Sequence, residues 1–229
     1  MIQFEIDVSA HLGLISPTTV DKLREMGIKR ASVGTLALSD GRWFFPHQCN
    51  VFRAGGIEVE SAYTYFYHDR ELAGQVSAAS GAVAQDGLIP RLWTDWEDRS
   101  AQLLPPIIVE DQIQQVIGGL TLALPSVDLG LYTRKSWWVQ NTGDTQLFAE
   151  HKLWDARWDN VPELRDVDYG GWTRPYMVQI GGLEVDGVEF DLNVYDDGEE
   201  LTVGQYEELK ALIDGLKARI DFHDQVLQD

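Results

Sequence analysis

Strand and helix signals alternate along most of this chain, and that alternation restricts the fold more than any other feature. Gln3–Val8 alternates apolar and polar residues, as a strand with one face buried does. Ser16-Pro17 then supplies an N-cap and a first-turn proline, followed by Val20, Leu23 and Met26 on one helical face and Gly27 as a stop. Arg30–Leu36 reads as a second strand, Pro46–Ala54 as a helix stopped by Gly55-Gly56, and Glu58–Tyr67 as a third strand rich in aromatic and β-branched residues. The Ala/Ser/Gly-rich run Glu71–Gln85 has helical spacing. The strand Pro90–Trp96, the helix Ile107–Leu124 and the strand Val127–Tyr132 continue the pattern, and Leu153–Arg157, Tyr176–Ile180 and Val188–Leu192 complete eight strands. Repeated βα units call for a parallel sheet, closed or doubly wound. Between Asp155 and Asp191 there is little room for crossover helices, so loops are expected to join the last strands.

Charge and composition exclude several partners. The net charge of −19, from 37 acidic and 18 basic residues, repels nucleic acid and anionic membrane surfaces. The single cysteine, Cys49, rules out an intramolecular disulfide. Met1-Ile-Gln-Phe-Glu-Ile-Asp reads as a strand rather than a secretory leader, and no apolar run approaches membrane-spanning length. The expectation is a soluble chain made in the cytoplasm without a signal peptide. Trp137-Trp138, Trp154, Trp158 and Trp172 stand in polar, Gly-containing stretches, where they either cap the core or offer faces on which sugar rings stack.

Four carboxylates fall at or near the C-terminal ends of strands: Asp7, Asp95, Glu97 and Asp191. In a parallel barrel that rim is where active sites are built. Asp95 and Glu97 flank Trp96 at i and i+2, so on a strand both face the same side. Glycosidic cleavage needs a protonated acid at the leaving oxygen and negative charge near the developing oxocarbenium centre. Crowded carboxylates raise one another's pKa and so keep such an acid protonated.

An ordered set of short motifs resembles the family 25 glycoside hydrolases, the Chalaropsis-type lysozymes common among bacteriophage endolysins. The set comprises Ile6-Asp7-Val8-Ser9, Ser61-Ala62-Tyr63-Thr64-Tyr65, Asp95-Trp96-Glu97, Leu131-Tyr132-Thr133 with Trp137-Trp138, Leu153-Trp154-Asp155-Ala156, Val178-Gln179-Ile180 and Phe190-Asp191-Leu192-Asn193. The resemblance implies an α/β fold, a modified TIM-like (β/α) barrel with few helices between its last three strands, spanning residues 1–197. It implies Glu97 as general acid, Asp95 positioning or stabilising the N-acetyl group or the cationic centre, and Asp7 and Asp191 completing an acidic floor. Tyr63, Tyr132, Trp154 and Gln179 would line the sugar groove. It further implies a muramidase cutting the β-1,4 bonds of peptidoglycan glycan strands, with no metal or cofactor. Departures fall at Ser61, Thr64, Val178, Ile180 and Gly181, where the family pattern has other residues, and they bear on substrate specificity.

Residues 198–229 differ in kind. After an acidic turn, Tyr206, Leu209, Ile213, Leu216, Ile220, His223 and Leu227 are spaced 3, 4, 3, 4, 3, 4. This is either an amphipathic helix packed on the barrel or a short coiled coil joining identical subunits through residues 203–227. The seam motivates a second reading, a lysozyme-like structural or binding barrel within a phage virion or tail assembly. The four intact carboxylates favour the hydrolase.

Overall fold

The computed structural model describes residues 2–196, so the tail with its heptad seam lies outside the described residues. Eight strands close into one barrel in chain order: β1 (Ile2–Val8), β2 (Arg30–Gly34), β3 (Glu58–Tyr65), β4 (Arg91–Asp95), β5 (Asp128–Thr133), β6 (Lys152–Ala156), β7 (Met177–Val185) and β8 (Val188–Asp196). Helices α1 (Pro17–Glu25), α2 (Phe45–Ala54), α3 (Leu72–Asp86) and α4 (Pro106–Ala123) fill the first four crossovers. A fifth, α5 (Lys135–Thr142), follows β5 where no helix is expected from the sequence; Gly143, at φ 65°, ends it. None of the described helices is long and apolar enough to cross a membrane.

The sheet is mixed rather than parallel. β1 to β7 pair in parallel, but β8 runs antiparallel to both β7 and β1. The reason lies in Val185-Asp186-Gly187-Val188. Asp186 and Gly187 both take positive φ, 56° and 75°, the two-residue turn that joins twisted antiparallel strands. A hairpin therefore replaces the crossover that a parallel eighth strand requires. Both strands run longer than their apolar segments indicate, and the hairpin tip is tied to α1 by an ion pair between Lys22 and Asp186.

Side-chain alternation divides the interior into two cores. On β1, Phe4, Ile6 and Val8 point outward into the main apolar core shared with the helices. Glu5 and Asp7 are buried on the opposite, lumenal face. The lumen holds a separate apolar cluster of four aromatic residues, Trp93, Tyr132, Trp154 and Tyr195, with Met177. Trp154 is its hub, meeting Trp93 at 5.6 Å and Tyr132 at 4.7 Å between ring centroids, both edge-on.

Two glycines make room for this packing. At Gly34, on β2, a Cβ would lie 3.1 Å from the Tyr63 ring. At Gly130, on β5, it would overlap the Trp93 indole, which is wholly buried and cannot retreat. Gly130→Ala is therefore expected to destabilise the barrel by about 2–3 kcal/mol. Gly81→Ala, in α3 with nothing within 4 Å of the new methyl, should gain about 0.5–1 kcal/mol. Denaturant unfolding of the two variants measures both, and opposite signs are the expected result.

Candidate active site

The C-terminal rim opens into a cavity of about 480 Å³, within the range of about 300–1,000 Å³ usual for small-ligand sites. All eight residues singled out from the sequence border it: the carboxylates Asp7, Asp95, Glu97 and Asp191, together with Tyr63, Tyr132, Trp154 and Gln179. Asp95 ends β4 and points into the lumen, Trp96 turns outward to stack on Phe66 at 5.2 Å, and Glu97 returns to the cavity. Asp191 arrives differently from its expected place at a strand C-terminus. It lies in the first half of β8, and the antiparallel pairing sets it directly opposite Asp7.

Asp7 is held by two amides whose orientation the surrounding donors dictate. The Tyr132 hydroxyl donates to Gln179 Oε1 at 2.8 Å, which leaves the Gln179 Nε2 to donate to Asp7 Oδ2 at 3.1 Å. The Trp154 indole N–H, a donor only, reaches Asn193 Oδ1 at 2.9 Å, so Asn193 Nδ2 donates to the same Asp7 oxygen at 2.9 Å. These bonds join β5, β6, β7 and β8 to β1 through one carboxylate oxygen. Asp95 contrasts with Asp7: it is buried, and its Oδ1 has no hydrogen-bond partner among the described residues.

Burial and like charge push all four carboxyls toward the protonated form. Asp7 is raised well above the usual carboxylate range by desolvation and then by the Asp191 charge, against the opposing pull of its two amides. Asp95 is likewise raised well above that range by desolvation, then by Glu97 and Asp7. Glu97 is raised by desolvation, with the Arg134 charge partly offsetting it. Asp191 is raised to about 6 by desolvation and by Glu189 and Glu97, while a hydrogen bond with Asp7 lowers it. Crowded carboxyls of this kind retain protons near neutral pH.

Several residues at or beside the site have no role in the sequence reading. Glu5 lies two residues before Asp7 on the same face, and the strict alternation of Gln3–Val8 already carries that signal. The Ser32 hydroxyl donates to Glu5 and is also hydrogen-bonded to Ser61, which accepts from Trp93 Nε1 at 3.1 Å. The cavity wall also includes Tyr65 at the end of β3, Tyr67 and Arg70 beyond it, and the segment 34–39 that begins with the last residue of β2. Of the positions that depart from the family pattern, Val178 and Ile180 belong to the outer core, and the buried Thr64 hydroxyl bonds Thr35 at 2.6 Å. Gly181 follows a register shift after Gln179 and faces the Asn160 side chain, while Ser61 lies on the lumenal side, bonded to Trp93. Trp137, Trp138 and Trp172 cap the outer core, whereas Trp158 is exposed.

The solved structures that this chain resembles share the whole barrel. It superposes on a muramidase from Acremonium alcalophilum with a TM-score of 0.67 at 17% identity, covering 93% of this chain and 99% of that one. A family GH25 lysozyme from Aspergillus fumigatus gives 0.66 at 15% identity, with the same coverage. The fold is that of the family 25 lysozymes. In sequence, 82 residues are 38% identical to the probable GH family 25 lysozyme 4 of Dictyostelium discoideum, 34% of this chain and 38% of that relative. The chain spans well under half the length of each curated relative it matches. No family model matches. Among the described residues, no group of His, Cys, Asp and Glu has the arrangement of a metal site.

Glu5 supplies a test of the lumen's electrostatics. Burial raises its pKa from 4.5 to about 7, with Ser32 opposing and Glu60 adding. A raised acid stabilises the folded state fully only below its unfolded pKa. The contribution is lost as pH rises from about 4.5 to about 7. Glu5→Gln, which mimics the protonated acid, should therefore leave stability near that of the wild type below pH 4.5. Above pH 7 it should add on the order of 2–3 kcal/mol. Urea unfolding at the two pH extremes distinguishes this from a uniform change, which would place the ionisation elsewhere.

Proposed function

We propose that this chain is a cell-wall glycan hydrolase, a muramidase that cleaves β-1,4 bonds of peptidoglycan with Glu97 as the general acid. The observation that carries the reading is the placement of Asp95 and Glu97 side by side at the end of β4, in a cavity where Asp7 and Asp191 add further charge. Unlike the buried Asp7 and Asp95, Glu97 is half-buried at the cavity wall, where a leaving oxygen can approach it. Its pKa is shifted by burial in the direction that favours the protonated form such a transfer requires. As the glycosidic bond breaks, positive charge develops on the sugar ring, and the ionised partners among Asp7, Asp95 and Asp191 stabilise it. The partnerless Oδ1 of Asp95 is suited to accept a hydrogen bond from an acetamido N–H on the substrate.

The groove residues divide into two kinds on this reading. Tyr63, half-buried, offers ring surface to a sugar. Tyr132, Trp154 and Gln179 are buried, and their polar ends are engaged with one another, Asn193 and Asp7. They act on substrate chiefly by fixing the Asp7 carboxylate. The names of the similar proteins, lysozymes and muramidases, agree with this substrate class.

Replacing Glu97 by Gln removes the transferable proton while keeping size and hydrogen-bonding capacity. Release of soluble reducing ends from purified peptidoglycan should fall by at least about 100-fold, with unfolding by denaturant shifted by less than about 1 kcal/mol. Undiminished release by a folded Glu97→Gln protein would overturn the assignment of the acid.

The heptad seam extends the reading to a homo-oligomer or virion assembly through residues 203–227, acting on the cell wall from that position. Light scattering should then give a dimer or trimer that becomes a monomer when Val203–Asp229 is deleted. A monomeric full-length chain removes that extension and leaves the hydrolase untouched.

A further inference from the structure

Glu97 has two opposed tasks in the proposed reaction. It holds a proton until the leaving oxygen arrives, and it then becomes a carboxylate in a cavity already lined by Asp7, Asp95 and Asp191. Burial and like charge serve the first task and oppose the second. In a chain of charge −19, a cation placed beside Glu97 is the group that would balance them.

Arg134 stands in that place. β4 and β5 pair with Asp95 opposite Tyr132, and the pairing continues past the strand ends. The Trp96 N–H donates to the Tyr132 carbonyl at 2.9 Å, and the Thr133 hydroxyl donates to the Trp96 carbonyl at 2.8 Å. Arg134 follows the last residue of β5 and keeps an extended backbone, at φ −123° and ψ 148°. It therefore falls on the same side of the chain as Tyr132, beside Glu97 as Tyr132 is beside Asp95. Both residues have a rigid mounting. The Trp138 N–H donates to the Arg134 carbonyl at 3.0 Å where α5 begins, and the Trp137 indole N–H reaches the Asp98 carbonyl at 2.9 Å. The Asp98 carboxylate accepts from the His68 N–H at 3.0 Å and from the Ser100 hydroxyl.

Arg134 is exposed, and among the described residues no carboxylate lies within ion-pair distance of it. It does not line the cavity, so it acts through Glu97 rather than on a substrate. Its charge opposes the effect of burial at Glu97, whereas the charges acting on Asp95 and Asp191 are all negative.

We propose that Arg134 is a positioning residue for the reaction, its guanidinium stabilising the carboxylate that Glu97 becomes when it gives its proton to the leaving oxygen. The inference rests on the glycan-hydrolase reading and adds the group that balances the acid. As the C–O bond breaks, its electron pair passes to the glycosidic oxygen, which takes the Glu97 proton. Negative charge appears on Glu97 with Arg134 already in place, which lowers the barrier to transfer. When water adds to the sugar, one of its protons returns to Glu97. The other titratable or charged groups around Glu97 are the carboxyls Asp7, Asp95 and Asp191, the phenols Tyr63, Tyr65, Tyr67 and Tyr132, and His11 and Arg70 on the cavity wall. All of them are retained when Arg134 alone is replaced, so a change at Glu97 reports Arg134.

The full-length wild type is compared with Arg134→Met and Arg134→Lys by two readouts. The first is the carbon-13 NMR titration of the Glu97 carboxyl, identified by its loss in Glu97→Gln. Without the cation the carboxylate is less stable, so the titration should move to higher pH in Arg134→Met and stay in place in Arg134→Lys. The second is the pH profile of reducing-end release from peptidoglycan. The basic limb of kcat/KM should follow the titration, raising activity on that limb relative to the plateau by about 2- to 5-fold in Arg134→Met. Arg134→Lys should restore the wild-type profile. A Glu97 titration unmoved in Arg134→Met, or activity reduced equally at every pH, would overturn the proposal. A moved titration in a folded wild type and variants that release nothing at any pH would instead overturn the hydrolase reading and leave the coupling of Arg134 to Glu97 standing.

Discussion

The paired amide donation to Asp7 Oδ2 is the interaction around which the barrel's rim is organised. Gln179 comes from β7 and Asn193 from β8, and each is turned the right way by a donor from β5 or β6. A single carboxylate oxygen on β1 therefore registers the whole closing side of the barrel. The arrangement depends on β8 being antiparallel. Only that direction sets Asp191 opposite Asp7 and Asn193 opposite Glu5, with both side chains on the lumenal face. Removing either amide would leave a buried carboxyl short of a donor, a costly state in a site without water-like dielectric.

The lumen inverts the usual allocation of polarity. Apolar residues of β1 face the helices, and its acids face the barrel axis, where Trp93, Tyr132 and Trp154 exclude water while their polar tips satisfy neighbouring groups. Burying five carboxyls in this way costs stability, and the raised pKa values of Glu5, Asp7, Asp95, Glu97 and Asp191 express that cost as retained protons. A site that must hold a proton for transfer near neutral pH requires this environment, so the destabilisation and the proposed chemistry have one origin.

Much of this was readable in the chain. The order of eight strands, the first four helices and the rim position of Asp7, Asp95 and Glu97 followed from periodicity, caps and the parallel-barrel rule. The elements that depart from the sequence expectation do so for identifiable physical reasons. Asp186-Gly187 between valines is the local signal of the β7–β8 hairpin, and it competes with the βα repeat of the preceding strands, which points to a parallel eighth strand. Helix α5 has two adjacent tryptophans and no clear apolar stripe, since both Trp137 and Trp138 are buried on a helix enclosed from more than one side. Thr64, Val178 and Ile180 looked like groove substitutions in a linear motif. Strand alternation turns them away from the cavity.

Local chemistry in the sequence determined where strands begin, where helices are capped, and which carboxylates share a strand face, because those depend on near neighbours and on a two-residue period. Tertiary structure alone decided that the sheet closes, that its eighth strand reverses, and that Asp191 meets Asp7 across 183 intervening positions in the chain. It also decided that Glu5 is a buried acid rather than a solvated one and that Arg134 comes to stand beside Glu97. These outcomes depend on desolvation and on contacts between residues far apart in the chain, which periodicity along a single strand does not encode.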